Sequence, residues 1–160
     1  MKRNRRMLLA ALAAAMLALL AGCAGKETPL PPAAEAADRV LAAQSFSEEM
    51  TPVGEKRAAA LLDLAEGGWA EIAVRMDASR TTAETVIVVA GKDAAQAETL
   101  GKKLEAYLAS LKEQYRDYRP EEMPKLEAAA VQARGLQRAL IVSPDPKAAR
   151  EALERIWEGK

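Results

Sequence analysis

The chain has 160 residues, with 23 basic and 23 acidic side chains, no histidine, one cysteine and six aromatic residues. That length suits a single domain with a hydrophobic core, and the balanced charge excludes a polybasic grip on nucleic acid or anionic lipid. Without histidine there is no Ser-His nucleophile and no zinc or copper site of the usual kind, and one cysteine cannot form an internal disulfide.

The chain opens with Lys2, Arg3, Arg5 and Arg6 and no acid, followed by an unbroken apolar run of 15 residues, Met7 to Ala21. A charged start, a short apolar stretch and a small-residue exit form a secretory signal over residues 1–22. A permanent span would need roughly 20 apolar residues. The run ends in Leu20-Ala21-Gly22-Cys23, which resembles the lipobox of bacterial lipoproteins. The resemblance implies that the Cys23 thiolate accepts a diacylglyceryl group and that cleavage makes Cys23 the first residue. Two acyl chains hold a protein stably to a bilayer, where one holds it only marginally. The remaining 138 residues carry 19 basic and 23 acidic side chains, a net charge of about −4. Residues 23–32 read as the lipidated cysteine and a Pro-rich tether, Ala24 to Pro32, whose nine residues reach roughly 28 Å if extended like polyproline.

Residues 33–160 read as one α+β domain. A helix is expected from Ala33 to Ala43, with Ala37, Val40 and Leu41 on one side. After a break at Thr51-Pro52-Val53-Gly54, a second helix is expected from Glu55 to Glu66, stopped by Gly67-Gly68. Trp69 to Asp77 alternates with period two, placing Ala70, Ile72, Val74 and Met76 inward and Glu71, Arg75 and Asp77 outward. Ala78 to Thr82 makes a turn, and Thr85 to Ala90 is apolar on both faces, as a central strand covered on both sides would be.

Asp93 and Gln96 form a capping-box-like pair at the start of the next helix. Its apolar stripe runs through Leu100, Leu104, Tyr107, Leu108, Leu111 and Tyr115, and Pro120 ends it before a short second helix. Ala129 to Ala133 and Ala139 to Ser143 make a strand pair around Gly135. Asp145-Pro146 opens a last helix with Ala149, Leu153, Ile156 and Trp157 inward. Strand-strand-helix thus occurs twice. The expected fold is an antiparallel sheet of about four strands with helices packed on it in two layers, a ββα pseudo-repeat behind an N-terminal signal helix.

Few residues suggest chemistry. No loop has the alternating oxygen ligands and central glycine of a calcium site, so no metal and no cofactor are expected. Ser143, between a strand and Pro144, reads as a turn hydroxyl. Glu48-Glu49 and Glu121-Glu122 are adjacent pairs, which on a helix point about 100° apart and read as solvated helix starts rather than catalytic carboxylates. The run Tyr115-Arg116-Asp117-Tyr118-Arg119 has the composition of a binding hot spot. Tyr115 continues the core stripe, so Tyr118 and Arg119 are the candidate partner surface.

Three segments, VIVVAGKDAAQAE, YRPEEMPKLEAAAV and GLQRALIVSPDPKAA, together with the signal and lipobox, resemble an uncharacterised family of clostridia-type Gram-positive lipoproteins containing a domain of unknown function. Members carry an aromatic residue after the glycine of the last hairpin, where this chain has Leu136-Gln137-Arg138. No activity comes with the family. The expectation is a membrane-anchored extracytoplasmic lipoprotein at the outer face of the cytoplasmic membrane. It would act as a non-catalytic interaction or sensing module, with the membrane and an envelope protein as partners and no nucleic acid. The alternative is an envelope-acting enzyme or a small-ligand-binding lipoprotein.

Overall fold

The computed structural model describes residues 29–160. The order is α1 (Ala33–Ala43), β1 (Met50–Pro52), α2 (Glu55–Leu61), β2 (Glu71–Asp77), β3 (Thr85–Ala90), α3 (Ala94–Tyr118), a 3-10 turn (Pro120–Glu122), α4 (Met123–Ala128), β4 (Val131–Arg134), β5 (Gln137–Val142) and α5 (Pro146–Trp157). The fold is α+β. One antiparallel sheet of five strands runs in the order β1-β2-β3-β5-β4, one strand more than the sequence suggests. The added strand is β1, inside the expected break. It pairs with the end of β2 through Met50–Asp77 and Pro52–Arg75, and proline is admissible there because β1 is an edge.

The sheet has a core on each face, so the molecule has three layers and not two. Val74, Ile87, Val89, Leu140 and Val142 meet the stripe of α3 on one face. Ala73, Val86, Val88, Ala139 and Ile141 meet α1 and α5 on the other. All six residues of β3 are buried, as expected for a strand covered on both sides. The same covering corrects the reading of β2 as half-buried, because Ala73 faces α1, and Asp77, 3% exposed, is buried by the loop that follows it. The two ββα units send their helices to opposite faces. A rotation relating antiparallel neighbours β3 and β5 would keep both helices on one face, so the repeat is one of element order only.

Helices α1, α3 and α5 begin and end close to their expected limits. Asp93 accepts a hydrogen bond from Gln96 N at 2.8 Å, while the Gln96 side chain accepts from Lys92 N, one residue earlier than a capping box requires. Asp145 caps α5 by accepting from Ala148 N at 2.9 Å. Helix α2 stops five residues short of Glu66, because Asp63 takes a left-handed φ of 50°.

Residues 30–33 are fastened to one end of the sheet. Gln137, buried at the start of β5, donates to the Pro31 carbonyl at 2.6 Å and accepts from Trp157 Nε1 at 2.8 Å. Ala33 N donates to Glu71, at the start of β2. The cross-strand pairs Glu71–Ala90 and Ala90–Gln137 place these anchors together. Asp77, Thr85 and Val142 lie at the opposite end, about 17 Å away along strands rising about 3.4 Å per residue.

Leu104 is fully buried in mid-stripe of α3. Leu104→Ala is expected to lower stability by about 2–5 kcal/mol in denaturant melts. A loss below about 0.5 kcal/mol, the size of a surface effect, would contradict this packing.

Candidate functional site

Helix α3 has 25 residues and is about 37 Å long at 1.5 Å per residue, so its last turns run past the ends of the strands. Its stripe continues through Tyr107, Leu111 and Tyr115, all buried. The segment between β2 and β3 rises to cover that overhang. Between them lies a cleft of about 330 Å³, at the small end of the range for ligand sites. Leu61, Met76, Ala83 and Leu111 give it apolar walls; Arg80, Thr82, Tyr107, Gln114 and Tyr115 give it polar ones, and Tyr118 stands at the rim.

The loop wall is held by a carboxylate. Asp77 accepts from the backbone N–H groups of Ser79 and Thr82, at 2.8 and 3.0 Å, and from the hydroxyls of Ser79, Thr81 and Thr82. Burial disfavours its charge, but these donors outweigh burial and hold the carboxyl far below the usual carboxylate range. Arg80, inside this loop, has a left-handed φ of 57°, uncommon for any residue but glycine. Opposite it, the Tyr115 hydroxyl donates to the Thr82 carbonyl at 2.6 Å, tying α3 to the loop.

A second polar network closes the base. Lys125 of α4 contacts Glu84 at 2.7 Å and Glu122 at 2.9 Å. Glu84 also accepts from the backbone and hydroxyl of Ser47, and Glu122 accepts from Ala83 N at 2.9 Å. Burial works against the Lys125 charge, but hydrogen bonds to the two carboxylates prevail and raise its pKa. Two carboxylates beside one ammonium have the composition of an acid-base site. Here Glu84 has no accessible side-chain surface and Lys125 fills the space between the carboxylates. The arrangement locks the 47, 83–84 and 122–125 segments together.

Glu122 corrects the reading of Glu121-Glu122 as solvated: Glu122 is buried and Glu121 exposed. The adjacent acids do diverge, and the partners of Glu122 are Lys125, which it shares with Glu84, and the Ala83 N–H. Glu48 and Glu49 are exposed, in the irregular segment before β1 and not on a helix. Ser143 is a turn hydroxyl, fully buried, donating to Gln44 and accepting from Asp145 N. Tyr118 is 75% exposed, with the Arg119 guanidinium 5.8 Å from its ring centroid and 3.5 Å from Glu121. Leu20, Ala21, Gly22 and Cys23 lie outside the described residues. Among those described, no helix is long and apolar enough to cross a membrane, and no three metal-ligating side chains converge.

Sequence reading missed Asp77, Arg80, Glu84, Tyr107 and Lys125. One sign was available for Glu84: a lone acid directly before the apolar run TVIVVA must be paired if the strand is central.

The Asp77 carboxyl is depressed in the fold, so the unfolded chain takes up its proton first as pH falls. Its contribution is complete above the unfolded pKa, about 3.9, and is lost as pH falls toward the lower folded value. Asp77→Asn is therefore expected to cost about 2–3 kcal/mol at pH 7, the scale of charge-assisted hydrogen bonds. The difference from the unaltered protein should narrow between pH 5 and about pH 3. Urea melts across that range would contradict the account if the gap stayed constant.

No curated protein and no solved structure matches the chain. Residues 42–143, from the end of α1 to just past β5, match the model of DUF4358, a domain of unknown function. The match includes every residue of the cleft and of the Glu84–Lys125–Glu122 network. It takes in well over half of the chain, which belongs to the DUF4358 family.

Proposed function

We propose that this DUF4358 protein is a lipid-anchored extracytoplasmic lipoprotein, held at the outer face of the cytoplasmic membrane through Cys23. Its domain acts there as a non-catalytic interaction or sensing module. The lipobox and the charged, apolar leader support the anchor. The observation that carries the contact role is Tyr118, exposed, paired with Arg119 and standing at the cleft rim. Tyrosine and arginine dominate binding hot spots. With residues 30–33 fastened to the fold, the link from Cys23 to Pro29 is six residues and spans at most about 20 Å. The Tyr118 corner lies at the sheet end opposite this attachment. A partner is therefore an envelope protein approaching from the side away from the bilayer.

A second reading is favoured by the cleft itself: a small-ligand-binding lipoprotein. The Tyr107 side chain is nine-tenths buried, lines the cleft and makes no hydrogen bond among the described residues.

Intact mass and detergent partition of the full chain test the anchor. A diacylglyceryl-bearing Cys23 in the detergent phase is expected, and a mature protein with an unmodified thiol contradicts it. For the contact role, Tyr118→Ala with Arg119→Ala should leave the melting temperature within a few degrees and lower capture of a membrane-associated protein about tenfold or more. Unchanged capture would oppose a contact at this corner.

A further inference from the structure

The donors and acceptors around the cleft are unevenly spent. Asp77 accepts five hydrogen bonds, Glu84 three and Glu122 three. The acceptor oxygens of these carboxylates are already taken by the protein's own N–H, O–H and ammonium groups. The Thr82 carbonyl is taken by Tyr115. Besides Tyr118 at the rim, three lining groups make no side-chain hydrogen bond or ion pair among the described residues: the Arg80 guanidinium, the Tyr107 hydroxyl and the Gln114 amide. Arg80 offers only donors, and the other two can each donate. Unspent capacity in the cleft is therefore donor-rich and includes one positive charge.

Arg80 is placed for this role. Asp77 cages the loop and holds Arg80 in its left-handed backbone conformation, a costly arrangement for a side chain that makes no contact with a carboxylate. Its charge reaches the two phenols on α3. Burial pushes Tyr107 up to about 12, and Arg80 acts against that rise; it does the same at Tyr115, where burial again raises the pKa. The Tyr107 hydroxyl thus stays a proton donor at every physiological pH. Beside these donors, Leu61 and Leu111 supply an apolar wall.

We infer that the cleft binds a small organic carboxylate, with its oxygens on Arg80, Tyr107 and Gln114 and its apolar body against Leu61 and Leu111. The inference rests on the second reading above and specifies its ligand class. A guanidinium matches a carboxylate through two parallel N–H···O bonds, and about 330 Å³ has room for a body the size of one aromatic acid.

Benzoate is the probe, titrated calorimetrically into the full chain in detergent, beside uncharged benzamide of the same shape and inorganic phosphate without an apolar body. Benzoate should bind in the millimolar range or tighter. Arg80→Asn, which suits a left-handed backbone, should weaken it about tenfold or more, as loss of a charge-assisted pair does. Tyr107→Phe, which keeps the buried ring, should weaken it about threefold to tenfold. Thermal melts establish that both variants are folded, and Arg80→Lys, which keeps the charge without the fork, should fall between. Benzamide binding as tightly as benzoate would sink the anion assignment while leaving a ligand cleft in place. Phosphate matching benzoate would remove the apolar wall from the recognition. Absence of binding by all three, or full benzoate affinity in folded Arg80→Asn, would overturn the site.

Discussion

Helix α3 is about twice as long as the strands it covers, and the cleft follows from that mismatch. Its apolar stripe does not end where the sheet ends. Tyr107, Leu111 and Tyr115 are buried, but strands alone cannot bury the last turns of a helix some 37 Å long against a sheet some 17 Å deep. The cover is made from irregular chain: the β2–β3 segment, the end of α2 and the short helical turns after Pro120. Irregular backbone has no ladder partner, and its buried N–H groups must still be satisfied. Carboxylates accept from these groups, Asp77 from Ser79 and Thr82 and Glu122 from Ala83, while Glu84 accepts from Ser47 in the segment before β1.

This solution has an electrostatic consequence. Buried carboxylates are tolerable only when paired or richly hydrogen-bonded, so Asp77, Glu84 and Glu122 are committed to structure. Lys125 is committed with them. Arg80 makes no ion pair among the described residues and stands on a backbone turn that few side chains adopt. Chemistry at this end of the molecule therefore reduces to donors facing a small apolar hollow. The opposite end is occupied by the fastening of residues 30–33 through Gln137 and Glu71, the length of the sheet away from the cleft.

The sequence was most legible where one local rule acts alone. Helix α1, the Asp93 and Asp145 caps and the stripe of α3 follow from spacing and capping chemistry within a few residues. Strand β3 was legible because a run apolar on both faces has only one comfortable place in a sheet. Strand β1 was hidden because three residues containing a proline have no period; only pairing with β2 defines it. Asp77 looked outward because alternation places it with Glu71 and Arg75, and its burial comes from a loop that folds back on it. Glu122 looked like a helix-start acid because its partners are 39 residues away at the Ala83 N–H and, on the next turn, at Lys125. Tyr118 was recognised as exposed because it leaves the stripe that Tyr115 continues. The cleft itself had no signal, being a product of two element lengths rather than of a motif.

The central claim is that the β2–β3 segment is a fixed wall, pinned by carboxylates and by Tyr115, and not a loose turn. Amide hydrogen exchange followed by NMR on the intact protein tests it most directly, because the Ser79, Thr82 and Ala83 N–H groups belong to no sheet ladder. The account predicts that these three amides exchange far more slowly than free-loop amides and lose protection when Tyr115→Phe removes the tie to Thr82. Exchange at unprotected loop rates in the unaltered protein would contradict it.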